Sequence, residues 1–239
     1  MRESILMLLI LVVAGSAYAA DPYLSPVSGP VELPELQRDE FYCQPPMDPL
    51  LILNAMSGRG TEAVDDIPVN LQGHWIYDIV VYVGEWNAVW QDPDGIFVNF
   101  YDATCPPGQT PYMSRYFTWG NPAEMETELV HDEPGYLTCY RVTLWVCPPV
   151  FIEGTMSLGF QVDNAWGDQA PDCGVALTNY EVFGCGEGYW DGTIWGFPRW
   201  TLISEIAGDP IDIAYCLSED EGPSAADEST WGAIKTLYR

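Results

Sequence analysis

Positive charge is nearly absent from this chain. Eight Lys and Arg stand against 35 Asp and Glu, a formal charge of −27 over 239 residues, and Lys235 is the sole lysine. Phosphate backbones are held by clustered Lys and Arg, so the composition argues against nucleic acid, and for the same reason against anionic membrane surfaces. Histidine is scarce as well. His74 and His131 are the only two, and no His-Glu-x-x-His or Gly-x-Ser-x-Gly pattern accompanies them. No two cysteines have Cys-x-x-Cys spacing, which leaves little basis for a zinc site. Long apolar runs are missing too: the uninterrupted stretch from Ile5 to Ala14 is well short of the about 20 residues that cross a bilayer.

That short run has the three parts of a secretory signal. Arg2 precedes it, Gly15 and Ser16 break it, and Ala17-Tyr18-Ala19 offers small residues to a peptidase, so cleavage is expected after Ala19. Residues 1–19 carry one acid, Glu3, and one base, Arg2, so their removal leaves the charge unchanged. The expected product is secreted or held at the cell surface without membrane insertion. Its acidity suits solubility and makes divalent cations plausible counter-ions.

Outside the cytoplasm, cysteines read as disulfide partners. There are seven: Cys43, Cys105, Cys139, Cys147, Cys173, Cys185 and Cys216. Cys173 and Cys185 bracket a turn-rich stretch and are the first expected pair. Cys139 and Cys147 fall at two ends of one expected strand, about 26 Å apart when extended, beyond disulfide reach. The odd count leaves one thiol over.

The chain is rich in what builds sheets. Ten Trp and fourteen Tyr accompany short Val-, Ile- and Thr-containing runs. These are Leu50–Met56, Trp75–Val83, Ile96–Tyr101, Tyr112–Trp119, Tyr136–Val146, Thr155–Val162, Val175–Phe183, Arg199–Ile206 and Ile211–Leu217. Breakers such as Asp92-Pro93-Asp94-Gly95 and Pro106-Pro107-Gly108 separate them. Many short strands between turns predict an all-β, antiparallel sandwich of jelly-roll type, stapled by disulfide. Residues 20–40 read as an extended lead-in, 41–217 as the sandwich domain and 218–229 as an acidic linker. In the terminal segment 230–239, Trp231, Ile234 and Leu237 recur at helical spacing, which suggests a short docking or sorting element.

Val64-Asp65-Asp66-Ile67-Pro68-Val69, the strand with Ile76, Ile79, Val81 and Tyr82, and Phe97-Val98-Asn99-Phe100-Tyr101 ahead of the Pro106-Pro107-Gly108 turn together resemble an uncharacterised class of exported jelly-roll domains from environmental bacteria. Tyr189-Trp190-Asp191-Gly192, Pro198-Arg199-Trp200-Thr201 and Asp212–Leu217 resemble the closing strands of that class, and the Trp231-Gly232 to Tyr238-Arg239 tail resembles a shared terminus. The resemblance implies a fold and an extracellular address, and supplies no activity.

Three chemistries suggest candidate sites. Flat aromatic faces stack on pyranose rings while carboxylates accept hydroxyl protons. Tyr189, Trp190, Asp191 and Trp195 in a Gly-rich segment, with Trp86 and Trp90 as a second patch, are therefore the expected carbohydrate-binding residues; the structural alternative is that these rings fill the core. Asp92 with Asp94, and Asp163 with Asp168, offer closely spaced oxygens for structural calcium, although Asp also starts turns for its own reasons. Glycoside hydrolysis needs two facing carboxylates, for which Glu187 and Asp191 are the nearest fit. The leading expectation is a non-catalytic extracellular binding or adhesion module with carbohydrate as its ligand. The alternatives are a self-associating surface component docked through its tail, and a glycan-active hydrolase.

Overall fold

Two patterns of apolar residues run through the strands, and they build two different sheets. The computed structural model describes residues 23–26, 28–30, 40–86, 90–102, 106–164, 172–179, 188–208 and 210–219. In chain order the first strands are β1 (Glu40–Cys43), β2 (Ile52–Asn54), β3 (Glu62–Ile67), β4 (Trp75–Trp86), β5 (Gly95–Tyr101), β6 (Met113–Thr118) and β7 (Met125–Glu133). They continue as β8 (Leu137–Phe151), β9 (Met156–Asp163), β10 (Asp172–Thr178), β11 (Tyr189–Asp191), β12 (Thr201–Leu202), β13 (Asp212–Ile213) and β14 (Tyr215–Ser218), with one helical turn, α1 (Ser204–Ala207), after β12.

The first sheet centres on β4, which pairs with β8 along its length, and β8 pairs outward with the edge strand β7. The far side of β4 is shared end to end by β14, beside Asp78–Val81, and β10, beside Val83–Trp86. β1 lies outside β14 and β2 outside β10. The second sheet has the order β12-β11-β3-β9-β5-β6. All strand pairs are antiparallel, and the chain crosses repeatedly between sheets, as in a jelly roll. The expected all-β sandwich is the fold.

Ile79-Val80-Val81-Tyr82-Val83 is apolar without a break because β4 is buried on both faces, and a strand covered on both sides has no polar position to alternate with. Ile79, Val81 and Val83 enter the core between the sheets with Val98, Phe100, Leu158 and Phe160. Val80, Tyr82 and Trp86 face the other way and pack with Leu50, Ile52, Leu137 and Ala176. Each such side chain contributes about 1.5–3 kcal/mol by leaving water. The second sheet alternates instead. On β9, Met156, Leu158, Phe160 and Val162 are core residues, while Ser157, Gly159, Gln161 and Asp163 take the opposite face.

Three expectations are corrected. β3 and β7 are strands that the residue pattern does not announce, and His131 lies in β7, opposite Cys139. The run Arg199–Ile206 contains only the two-residue β12 and then turns into α1. Cys173, expected to pair with Cys185, carries a free buried thiol, and Cys185 lies outside the described residues. Among the described residues a disulfide joins Cys43 to Cys216, which the β1–β14 ladder sets directly opposite each other. Cys139 and Cys147 both lie on β8 and do not pair with each other, as their spacing along one strand led us to expect, and both are free. Part of the lead-in belongs to the fold: Leu24 bridges Leu53, and the Asn54 N–H donates to the Tyr23 carbonyl at 2.8 Å. The signal segment, Asp168, Glu187 and the terminal Trp231, Ile234 and Leu237 lie outside the described residues.

Candidate functional site

The alternation of β5 and β9 leaves the second sheet with a polar outer face, and strand register assembles it into rows. One row holds Asp191 and Glu62, paired across β11 and β3, and then Gln161, Phe97 and Tyr116. Gln161 neighbours Glu62 because Ala63 pairs with Phe160, one step along the ladder. The next row is Tyr189, Val64, Gly159, Asn99 and Ser114.

Glu62 sits at the middle of this face, over a glycine. A Cβ on Gly159 would come within 2.0 Å of Glu62 Oε1, so the missing side chain is the space in which the carboxylate lies. Asn99 Nδ2 donates to Oε1 at 2.8 Å and the Tyr101 hydroxyl to Oε2 at 2.8 Å. Ser114 in turn donates to Asn99 Oδ1 at 2.6 Å. Burial raises the Glu62 carboxyl above its ordinary range, and the two donors partly oppose that rise. Burial and then the charge of Glu62 raise the Tyr101 phenol, so it stays a donor. Beside them Asp191 accepts from Arg199 Nε at 3.1 Å. Arg199 lies 4.8 Å over the Trp200 ring, and Trp200 meets Tyr101 edge-on at 5.7 Å. At the opposite end Phe97 and Tyr116 pack at 4.7 Å, with Tyr116 42% exposed.

The aromatic residues expected to bind sugar divide by strand parity. Tyr189 and Asp191 lie on this outer face, but Trp190, between them, points inward and is fully buried. Its indole N–H donates to the Asn54 carbonyl at 2.7 Å, and it packs with Tyr23 and Phe197. Trp195 is half-buried and stacks on Trp190 at 5.4 Å, with the Arg59 guanidinium 5.8 Å from its ring. Trp86 is fully buried on the far side of the first sheet. Neither Trp86 nor Trp190 presents a face to a ligand, which corrects that expectation. Trp90 is half-buried and packs on Tyr140 at 4.5 Å; with Leu129 and Asp132 it lines a small depression of about 240 Å³.

The calcium candidates are only partly brought together. The Asp94 N–H donates to the Asp163 carbonyl at 2.8 Å, but the Asp163 carboxylate accepts from the Ser57 and Tyr116 hydroxyls. Asp92 accepts from the Trp90 indole at 2.8 Å. Among the described residues no three His, Cys, Asp or Glu side chains are grouped to hold a metal ion.

Sequence reading missed Glu62, Phe97, Asn99, Tyr101, Tyr116 and Gln161 as site residues. The signal that could have found them is the small or polar residue at every second position of β9, matched across β5. His74, the other scarce imidazole, is exposed and meets Glu219 at 2.6 Å where the described chain ends. No protein-family model, curated protein or solved structure matches this chain.

Proposed function

We propose that the chain is an exported, non-catalytic binding module that takes a carbohydrate on the outer face of its second sheet. The observation that carries this reading is the chain of hydrogen bonds Ser114–Asn99–Glu62–Tyr101, flanked on the same face by Phe97 and Tyr116, which pack on each other at a tilt. Sugar hydroxyls need fixed donors and acceptors, and the C–H face of the ring needs a flat apolar partner. Both lie within one row-to-row step here. The signal-like N-terminus and the Cys43–Cys216 link support an oxidising destination.

A hydrolase reading has one observation in its favour, the direct pairing of Glu62 with Asp191. Asn99 and Tyr101 occupy both Glu62 oxygens, and Arg199 holds Asp191. That arrangement suits a fixed recognition surface better than a pair exchanging protons with substrate.

A glycan array probed with the full chain and with a Phe97→Ala/Tyr116→Ala variant tests the proposal. The expected result is capture of a defined glycan set that the variant loses, with little change in melting temperature. Capture of nothing, or capture unchanged in the variant, sinks it.

A further inference from the structure

Arg115 stands apart from the other arginines among the described residues. Arg59 pairs with Asp172, Arg141 with Glu128 at 4.0 Å and Arg199 with Asp191 at 3.1 Å, whereas Arg115 pairs with no carboxylate among the described residues. In a chain with a charge of −27, a guanidinium without an acid is unusual. Its position explains how this arises. On the edge strand β6, Ser114 and Tyr116 point outward, so Arg115 points beneath the sheet, opposite Val98. There it is half-buried, and burial lowers its proton affinity, opposed by the nearby Cys147 thiol.

The side chain lines a groove of about 590 Å³ that opens between the edge of the second sheet and the last residues of β8. Tyr112 and Phe151, 52% and 40% exposed, line the same groove. The Tyr112 hydroxyl contacts Met156 Sδ, which also lines the groove, at 3.8 Å. Asp102 and Glu153 also line the groove, without forming an ion pair with Arg115.

We propose that this groove is a second saccharide subsite selective for a carboxylate-bearing sugar, a uronate; the inference rests on the carbohydrate reading above. The planar guanidinium matches a carboxylate through two parallel N–H···O bonds, and partial removal from water strengthens them. Tyr112 and Phe151 supply the apolar faces on which the ring stacks. Asp102 and Glu153 accept hydroxyl protons and repel more highly charged anions, which favours a monoanion.

The competing explanation is that Arg115 is an inward-pointing charge that guards an edge strand against pairing with another chain. Calorimetric titration of the full chain with galacturonate, a monoanion, and with its neutral methyl ester separates the two. The acid is expected to bind about tenfold tighter than the ester, with Arg115→Gln abolishing that preference and Arg115→Lys restoring part of it. Equal binding of acid and ester, or a preference that survives Arg115→Gln in a variant of unchanged melting temperature, overturns the proposal. If neutral glycans bind through Phe97 and Tyr116 with no acid preference, the groove inference fails and the sheet-face reading stands. If the acid binds through Arg115 and the Phe97→Ala/Tyr116→Ala variant loses nothing, the groove stands and the sheet face does not. Binding of no saccharide, neutral or acidic, rejects both.

Discussion

Replacing Trp190 with phenylalanine removes one indole N–H and keeps an aromatic ring in the core. That N–H is donated to the Asn54 carbonyl at 2.7 Å, at the point where β11, β2 and the lead-in around Tyr23 meet. Without it a buried carbonyl loses its donor, which costs about 1–3 kcal/mol. The smaller ring also leaves space beside Tyr23, Trp195 and Phe197, adding about 1 kcal/mol. The sum is about 2–4 kcal/mol, a fall in melting temperature of roughly 5–15 °C for a domain of this size. Trp190→Ala costs about 3–5 kcal/mol for the ring alone, a large share of a typical stability of about 5–15 kcal/mol, so phenylalanine is the informative change. Calorimetry, with glycan capture measured on the same preparation, reads both effects. An unchanged melting temperature with lost capture would place the ring at a working surface and refute the reasoning.

Other perturbations test other parts of the fold. Gly159→Ala drives a methyl group into Glu62, and the overpacking is expected to cost about 1–3 kcal/mol. Glu62→Ala in the same background should recover much of that loss in a double-mutant cycle, and strict additivity would deny the close approach. Cys43→Ser opens a link between residues 173 positions apart and should lower stability by about 2–5 kcal/mol; an unfolding midpoint insensitive to reductant would contradict it. Burial pushes the Glu85 carboxyl up to about 7, so the folded chain holds that proton more tightly than the unfolded chain. The associated stability is complete below the unfolded value and is lost as pH rises through about 7, so urea midpoints should fall between about pH 5 and 8 and Glu85→Gln should flatten the fall. Asp65, raised well above its ordinary range by burial and then by the charges of Asp212 and Asp66, acts in the same sense.

Sheet content was legible wherever apolar residues carry the pattern, as in β4, β5, β8 and β9. β3 was not, because Glu62, Asp65 and Asp66 occupy three of its six positions and all three are buried. Carboxylates in a buried strand contradict local propensity, and for Glu62 the conflict is relieved by Asn99, 37 positions away, and Tyr101, 39 away. β7 was obscured differently: it is an exposed edge strand, and its Glu126, Glu128, Asp132 and Glu133 keep that edge from pairing. The site was half legible. In the aromatic run from Tyr189 to Phe197, a two-residue period sends Trp190 inward, where Trp195 and Phe197 pack on it, and Tyr189 and Asp191 outward. That parity follows from pairing with β3, which was itself unread. Cys43 and Cys216 likewise become partners only once β1 and β14 are in register.

Core stability does not account for the polar chain on the second sheet. The first sheet has both faces covered by apolar side chains, whereas the outer face of the second mixes a small apolar cluster, Val64, Tyr101 and Trp200, with the polar chain. Replacing a buried polar network with well-packed apolar residues is commonly neutral or stabilising, so Ser114, Asn99, Glu62 and Tyr101 make a poor solution to packing alone. They make a better solution to fixing, from beneath, the exposed Ser114 at the rim of the face. Glu62→Gln tests this distinction. The amide keeps the shape and removes a charge that burial disfavours. If the network serves the fold, the variant loses stability and keeps its ligand. If it serves recognition, melting temperature holds or rises at neutral pH while glycan affinity falls, because the exposed Ser114 loses the Asn99–Glu62 chain that positions it. The hydrogen bonds within the face, with Gly159 cleared to admit the carboxylate, favour the second outcome.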